Sequence, residues 1–174
     1  MLIELLISIV VLTVGLGGLM VLLVSAMYTN TRAGKDTTST MVAEHVLEQI
    51  SAQPANGVAL LQLTDCANNT WNINTTGAVL GAGTGANGGN GSDLTTTGIV
   101  DWTQSYNSVP VGYAMQYTAC GAGGRQTVYD VRWNVITMTN YARMVVVSAR
   151  PTGSATVGGL RFVIPANLRT IAGM

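Results

Sequence analysis

Charge is what this chain has least of. Only 9% of its 174 residues are Asp, Glu, Lys or Arg, against roughly 25% in an ordinary soluble domain. Eight basic side chains balance eight acidic ones, which excludes a polybasic nucleic-acid binder and an acidic disordered chain. One His and two Cys fall short of the three or four ligands of a His/Cys metal cage. No metal and no cofactor is expected. Pro is scarce at four residues, and the 21 Gly follow no collagen-like period. The length suits one compact domain plus a long accessory element.

What the chain does have is an apolar start. Between Glu4 and Arg32 there is no charged side chain, and the run from Leu5 to about Met27 is apolar almost throughout. A bilayer core needs about 20 such residues in a helix, so the segment is long enough to span one. It is too long for the apolar region of a cleaved signal, and no basic stretch precedes it. Nothing later in the chain matches it.

Glu4 is the anomaly, because an ionised carboxylate in hydrocarbon costs several kcal/mol unless paired, protonated or held at the interface. Two readings stand. Either Glu4 stays at the headgroups, or it is buried in an assembly and neutralised by an N-terminal amine, its own or a neighbour's. Gly15, Gly17 and Gly18 each cost a helix about 1 kcal/mol relative to Ala. They serve close helix packing, local softening, or both.

After Arg32, Met41, Val42, Val46, Leu47 and Ile50 recur at helical spacing, with Asp36, Glu44, Glu48 and Gln49 mostly between them. No Pro precedes Pro54. One helix is therefore predicted from the start to about Gln53, apolar over residues 1–28 and amphipathic over 29–53. Residues 54–110 form a variable region. Within it, residues 77–98 contain eight Gly and read as a flexible surface loop. Asn68, Asn74 and Asn90 each begin an Asn-x-Ser/Thr triplet, making them candidate sugar-attachment sites unless the triplets arise by chance.

Residues 111–174 read as sheet. Tyr129, Val131, Trp133 and Val135 alternate with Asp130, Arg132 and Asn134, the pattern of a strand with one buried face. Tyr113, Met115 and Tyr117 alternate similarly. Met144–Val147 and Leu160–Ile164 supply two more strands, giving an antiparallel meander whose apolar face the amphipathic helix would cover. Cys66 and Cys120 are either one disulfide of a head outside the cytoplasm or two separate buried thiols.

The opening Met1-Leu2-Ile3-Glu4-Leu5-Leu6-Ile7 resembles the start of processed type IV pilins and type II secretion pseudopilins, which begin Phe-Thr-Leu-Ile-Glu-Leu. The resemblance is specific over roughly residues 1–27 and architectural beyond, in the order long helix, variable loop, antiparallel sheet. Val11–Leu19 is most similar to the minor-pilin branch. The resemblance implies an α+β, pilin-like fold, with a half-apolar helix packed on an antiparallel sheet. It implies processing by a prepilin peptidase, methylation of the new amine, and residence in the inner membrane before extrusion by an assembly machinery. The product is a helical homopolymer at the cell surface, serving adhesion, motility or secretion. Glu4 would pair with the Met1 amine of a neighbouring copy. The chain departs from the pattern in three ways. Glu4 stands one residue nearer the amine, so the start is trimmed or a first residue is missing. No leader precedes it, and Gly15, Gly17 and Gly18 replace the helix-breaking Pro.

An enzyme is not expected, since His45 is the sole histidine and no Ser or Cys nucleophile has a second to draw on. Gly88-Gly89-Asn90-Gly91 lacks the Gly-Lys-Ser/Thr of a phosphate loop. A minor pilin or pseudopilin that binds DNA is the alternative, because Arg125, Arg132, Arg143, Arg150, Arg161 and Arg169 all lie in the last 50 residues. Conduction through aromatics has only Tyr28 to offer before Trp71. A membrane-anchored receptor differs from a filament subunit in forming no fibres.

Overall fold

The computed structural model describes residues 2–54, 60–121, 124–152 and 164–173. The chain forms two compact units, Met1–Lys35 and Asp36–Met174.

Helix α1 covers Leu2–Ser51, two residues short of the expected end. Its last turn closes with Ala52 N–H donating to Glu48 O at 2.9 Å and Gln53 N–H to Ile50 O at 3.2 Å. Pro54 follows, which has no N–H to continue the ladder. In the first unit every described side chain from Ile3 to Lys35 is exposed. Nothing within that unit covers its apolar surface.

The second unit is α+β, as expected from the pattern. Its small hairpin pairs β1 (Leu60–Thr64) with β2 (Thr70–Asn74) antiparallel. The main sheet is built on β6 (Gln126–Thr139), with β7 (Ala142–Pro151) on one edge and then β8 (Ala166–Gly173). β5 (Ala114–Cys120) also pairs with β6. The four strands β5 to β8 form an antiparallel meander, the first three of them at the expected segments. Two short strands add to β6, β3 (Ala78–Val79) parallel and β4 (Asn90–Gly91) antiparallel.

Val42, Ala43, Val46 and Ile50 recur every three or four residues and are buried. They share one core with Met115 of β5, Tyr129, Val131, Trp133 and Val135 of β6, and Val145, Val147 and Ala149 of β7. A fully buried aliphatic side chain contributes about 1.5–3 kcal/mol, so this face is what fixes the end of α1 to the sheet.

Two expectations need correction. β6 does not have one wet face: Asp130, Arg132 and Asn134 are as buried as their apolar neighbours. Over Asn134 the cover is Gly88–Ser92 of the glycine-rich segment, expected to be a flexible surface loop but packed here, while Val79–Thr84 are exposed as expected. Asn134 Nδ2 donates to Gly88 O at 3.1 Å and Ser92 O at 2.7 Å, and Ser92 N–H donates to Trp133 O at 2.9 Å. Gly91 has φ +119, and a Cβ there would collide with Trp133 O and the Tyr113 ring. Glycine is needed because backbone lies directly on backbone. Leu94, Val100, Ile136 and Val146 form a second core beneath this layer. The last described strand is β8 (Ala166–Gly173). Residues 160–163 lie outside the described residues, and Ile164 precedes the strand.

Candidate functional site

Among the described residues, the tail from Ile3 to Tyr28 is the longest continuous run of exposed apolar side chains. Its Ile, Leu, Val and Met side chains and Tyr28 are 50–73% exposed, whereas monomeric soluble proteins rarely expose apolar patches beyond a few hundred Å². The helix is long and apolar enough to cross a membrane by length and composition. Its few hydroxyls turn back onto the helix itself. Ser8 donates to Glu4 O at 2.8 Å, Thr13 to Val10 O at 2.9 Å, and Thr29 to Ser25 O at 3.0 Å. Such bonds satisfy these hydroxyls without water, as an apolar surrounding demands.

Glu4 lies in the first turn of α1, and Met1 lies outside the described residues. A Cβ added at Gly15, Gly17 or Gly18 would meet nothing within 4 Å. These glycines are therefore not required by packing within the protomer.

On the head, Cys66 and Cys120 form the disulfide, with Cα atoms 6.0 Å apart. Beside it lies a carboxylate that pattern reading missed. Asp65 Oδ1 accepts from the N–H groups of Ala67 and Asn69, both at 2.9 Å. Its Oδ2 accepts from Asn69 Nδ2 at 3.0 Å and Thr118 N–H at 3.1 Å. Burial alone would raise its pKa, but the donors from Asn69, Thr118 and Ala67 outweigh it and hold the carboxyl well below the usual range. The visible signal was an Asp two and four residues before Ala67 and Asn69, the spacing of an Asx turn.

The five described arginines of the head do not form one strip. Arg132 is buried and grips Asp130 with Nε at 3.0 Å and Nη2 at 2.8 Å, while its Nη1 donates to Gln104 O at 2.6 Å. Arg150 lies 4.1 Å from the Trp102 ring centroid and Arg132 lies 4.6 Å from it. Trp102 Nε1 donates to Ser148 Oγ at 3.0 Å. This cluster pins the segment around Trp102 to β6 and β7. Arg143 is buried and donates to Thr75 O at 3.2 Å, Gln53 O at 2.7 Å and Ile50 O. It neutralises the carbonyl end of α1, where a cation is favoured. Arg125 and Arg169 are exposed, and Arg161 lies outside the described residues.

No family model, no curated protein and no solved structure matches this chain.

Of the three triplets, Asn68 is exposed at the β1–β2 turn with φ +64. Asn74 and Asn90 are half-buried, and their side chains accept from Thr76 N–H at 3.0 Å and Thr84 N–H at 3.2 Å. His45 is exposed on α1. The long apolar helix, antiparallel sheet and disulfide are together consistent with a pilin-like fold.

Proposed function

We propose that this chain is a non-enzymatic structural subunit of an extracellular filament of the type IV pilus kind. Its copies are held in the inner membrane by the tail and then polymerise through it. The supporting observation is the wholly exposed apolar tail with its single carboxylate at Glu4. Such a surface is equally satisfied by lipid and by other tails. Extraction is then feasible, because each buried CH₂, worth about 0.8 kcal/mol, is re-buried in the bundle. Grease has no register of its own. Glu4, neutralised by the Met1 amine of a neighbouring copy, would supply it, since an uncompensated charge in a dry bundle is strongly penalised. The disulfide supports a head on the oxidising side of the membrane. Prepilin-peptidase processing, amine methylation and a role in adhesion, motility or secretion follow from the same reading.

Glu4→Val is expected to leave the protein in the membrane fraction while sheared surface material loses its fibres. Fibres as abundant as wild type from Glu4→Val would overturn the role given to this residue. Absence of any fibre or oligomer from the wild-type chain would return it to a simple membrane anchor.

A further inference from the structure

We infer that Arg150, seated on Trp102, receives the carboxylate of an acidic sugar, a hexuronic acid unit of a polysaccharide. The inference concerns the head alone and goes beyond the filament reading without resting on it. It starts from charges that do not balance. Gln116 of β5, Asp130 of β6 and Arg150 of β7 stand in one row on one face of the sheet, each directly opposite the next. Two guanidiniums approach the single carboxylate of that row. Arg132 takes it with hydrogen bonds to both oxygens, at 3.0 Å and 2.8 Å. Arg150 reaches the same Oδ2 at only 3.8 Å, beyond hydrogen-bond range. One positive charge is left over, and Arg150 carries it. Burial lowers the pKa of Arg150, and Arg132 adds to the fall while Asp130 opposes it. Its charged form is therefore under-compensated where it stands.

The group is also within reach of solvent. The Arg150 side chain is 36% exposed, against 8% for Asp130 and 2% for Arg132. Its guanidinium makes no hydrogen bond among the described residues; what holds it is the Trp102 ring, 4.1 Å away. That ring is itself fixed by the bond from its Nε1 to Ser148 Oγ. A stacked guanidinium is already oriented, so it loses little freedom when its N–H fork closes on a carboxylate.

The surroundings select the ligand. Gln116 is exposed and its side chain makes no hydrogen bond among the described residues. Tyr106, its ring 5.9 Å from the Arg132 guanidinium, is half-buried. Residues 102–110, which contribute both Trp102 and Tyr106, carry no charge. One cation among neutral donors and acceptors matches a ligand with one carboxylate and several hydroxyls per unit. A nucleic acid instead requires several phosphates to be neutralised together. The exposed arginines described on the head do not supply that: Arg125 lies in the β5–β6 connection and Arg169 on β8.

The test is calorimetric titration of the full-length chain, in an uncharged detergent, with trigalacturonate, its methyl ester, inorganic sulfate and a short single-stranded DNA. Trigalacturonate is expected to bind, and the ester about tenfold more weakly, because a charge-assisted fork becomes a neutral contact. Arg150→Gln should lower trigalacturonate affinity by about the same factor. Gln116→Leu removes a side chain bonded to nothing described in the protomer. It should weaken binding severalfold at unchanged Tm, which keeps the test decisive if Arg150→Gln does not fold. No binding of trigalacturonate at millimolar concentration, equal binding of the ester, or wild-type affinity in both folded variants would overturn the inference. Sulfate or DNA binding more tightly than trigalacturonate, with the same dependence on Arg150, would overturn the sugar as its ligand. None of these results touches the role given to Glu4, and a chain that forms no fibres leaves this site as it is.

Discussion

Replacing Asp65 with Asn changes one atom and reverses the chemistry of a buried acceptor. The carboxylate takes four hydrogen bonds at 2.9–3.1 Å, two on each oxygen. In Asp65→Asn one oxygen keeps its two backbone donors, but an NH₂ group now faces Asn69 Nδ2 and Thr118 N–H. Asn69 has other places to turn; Thr118 N–H is fixed in β5. An unmatched buried donor costs about 1–3 kcal/mol, and bonds that lose charge assistance weaken further, giving a total of about 3 kcal/mol. For a chain of this size that lowers Tm by on the order of 10 °C. Thermal unfolding of the full chain in detergent, with the disulfide intact, reads it directly. The pH dependence carries the sign. The folded pKa is depressed below the unfolded value of about 3.9. The carboxylate's stabilisation is therefore complete above that value and is lost as pH falls through it towards the folded pKa. The gap between wild type and Asp65→Asn should shrink below about pH 4. A gap under about 0.5 kcal/mol at neutral pH, or one unchanged down to pH 3, would refute this account of Asp65.

Arg143→Met strips the donors from Ile50 O, Gln53 O and Thr75 O. It should cost about 2–4 kcal/mol in denaturant unfolding, with faster hydrogen exchange at Ala52 and Gln53. Cys66→Ser with Cys120→Ser removes a cross-link of sequence separation 54 and should cost on the order of 4 kcal/mol by the loop-entropy account. Gly91→Ala forces a side chain into φ +119 against Trp133 O. A loss of at least about 2 kcal/mol is expected in denaturant unfolding.

The helix was legible because both of its signals are long: an apolar run with one period of meaning, then Val42, Val46 and Ile50 at helical spacing. The meander was legible from alternation in β5 and β6. The second face of β6 was not, because Asp130, Arg132 and Asn134 are the residue types that usually mark water. Here Arg132 neutralises Asp130, and Asn134 bonds to Gly88 and Ser92. A polar residue paired internally and one bathed in solvent look identical in a string of letters. The glycine-rich segment misled for the complementary reason. Glycine marks both freedom and close approach, and only the partner backbone distinguishes them. β8 is an edge strand whose Ala, Asn, Arg and Thr carry little period. β1 and β2 are five residues each around an Asx turn, too short for alternation to stand out. For the tail, the sequence located the apolar surface and Glu4; the pairing of copies depends on a second chain.

The packed glycine layer decides where this head tolerates foreign peptide. An epitope tag spliced among Gly88–Gly91 would pry the layer from β6 and open the second core. The turn at Thr96–Gly98 behaves oppositely: Thr96 and Thr97 are exposed, and a Cβ at Gly98 would meet nothing within 4 Å. Val111, 98% exposed, offers another such point. Display of guest sequences on this scaffold therefore belongs at those tips, and the composition that suggests tolerance marks the region least able to give it.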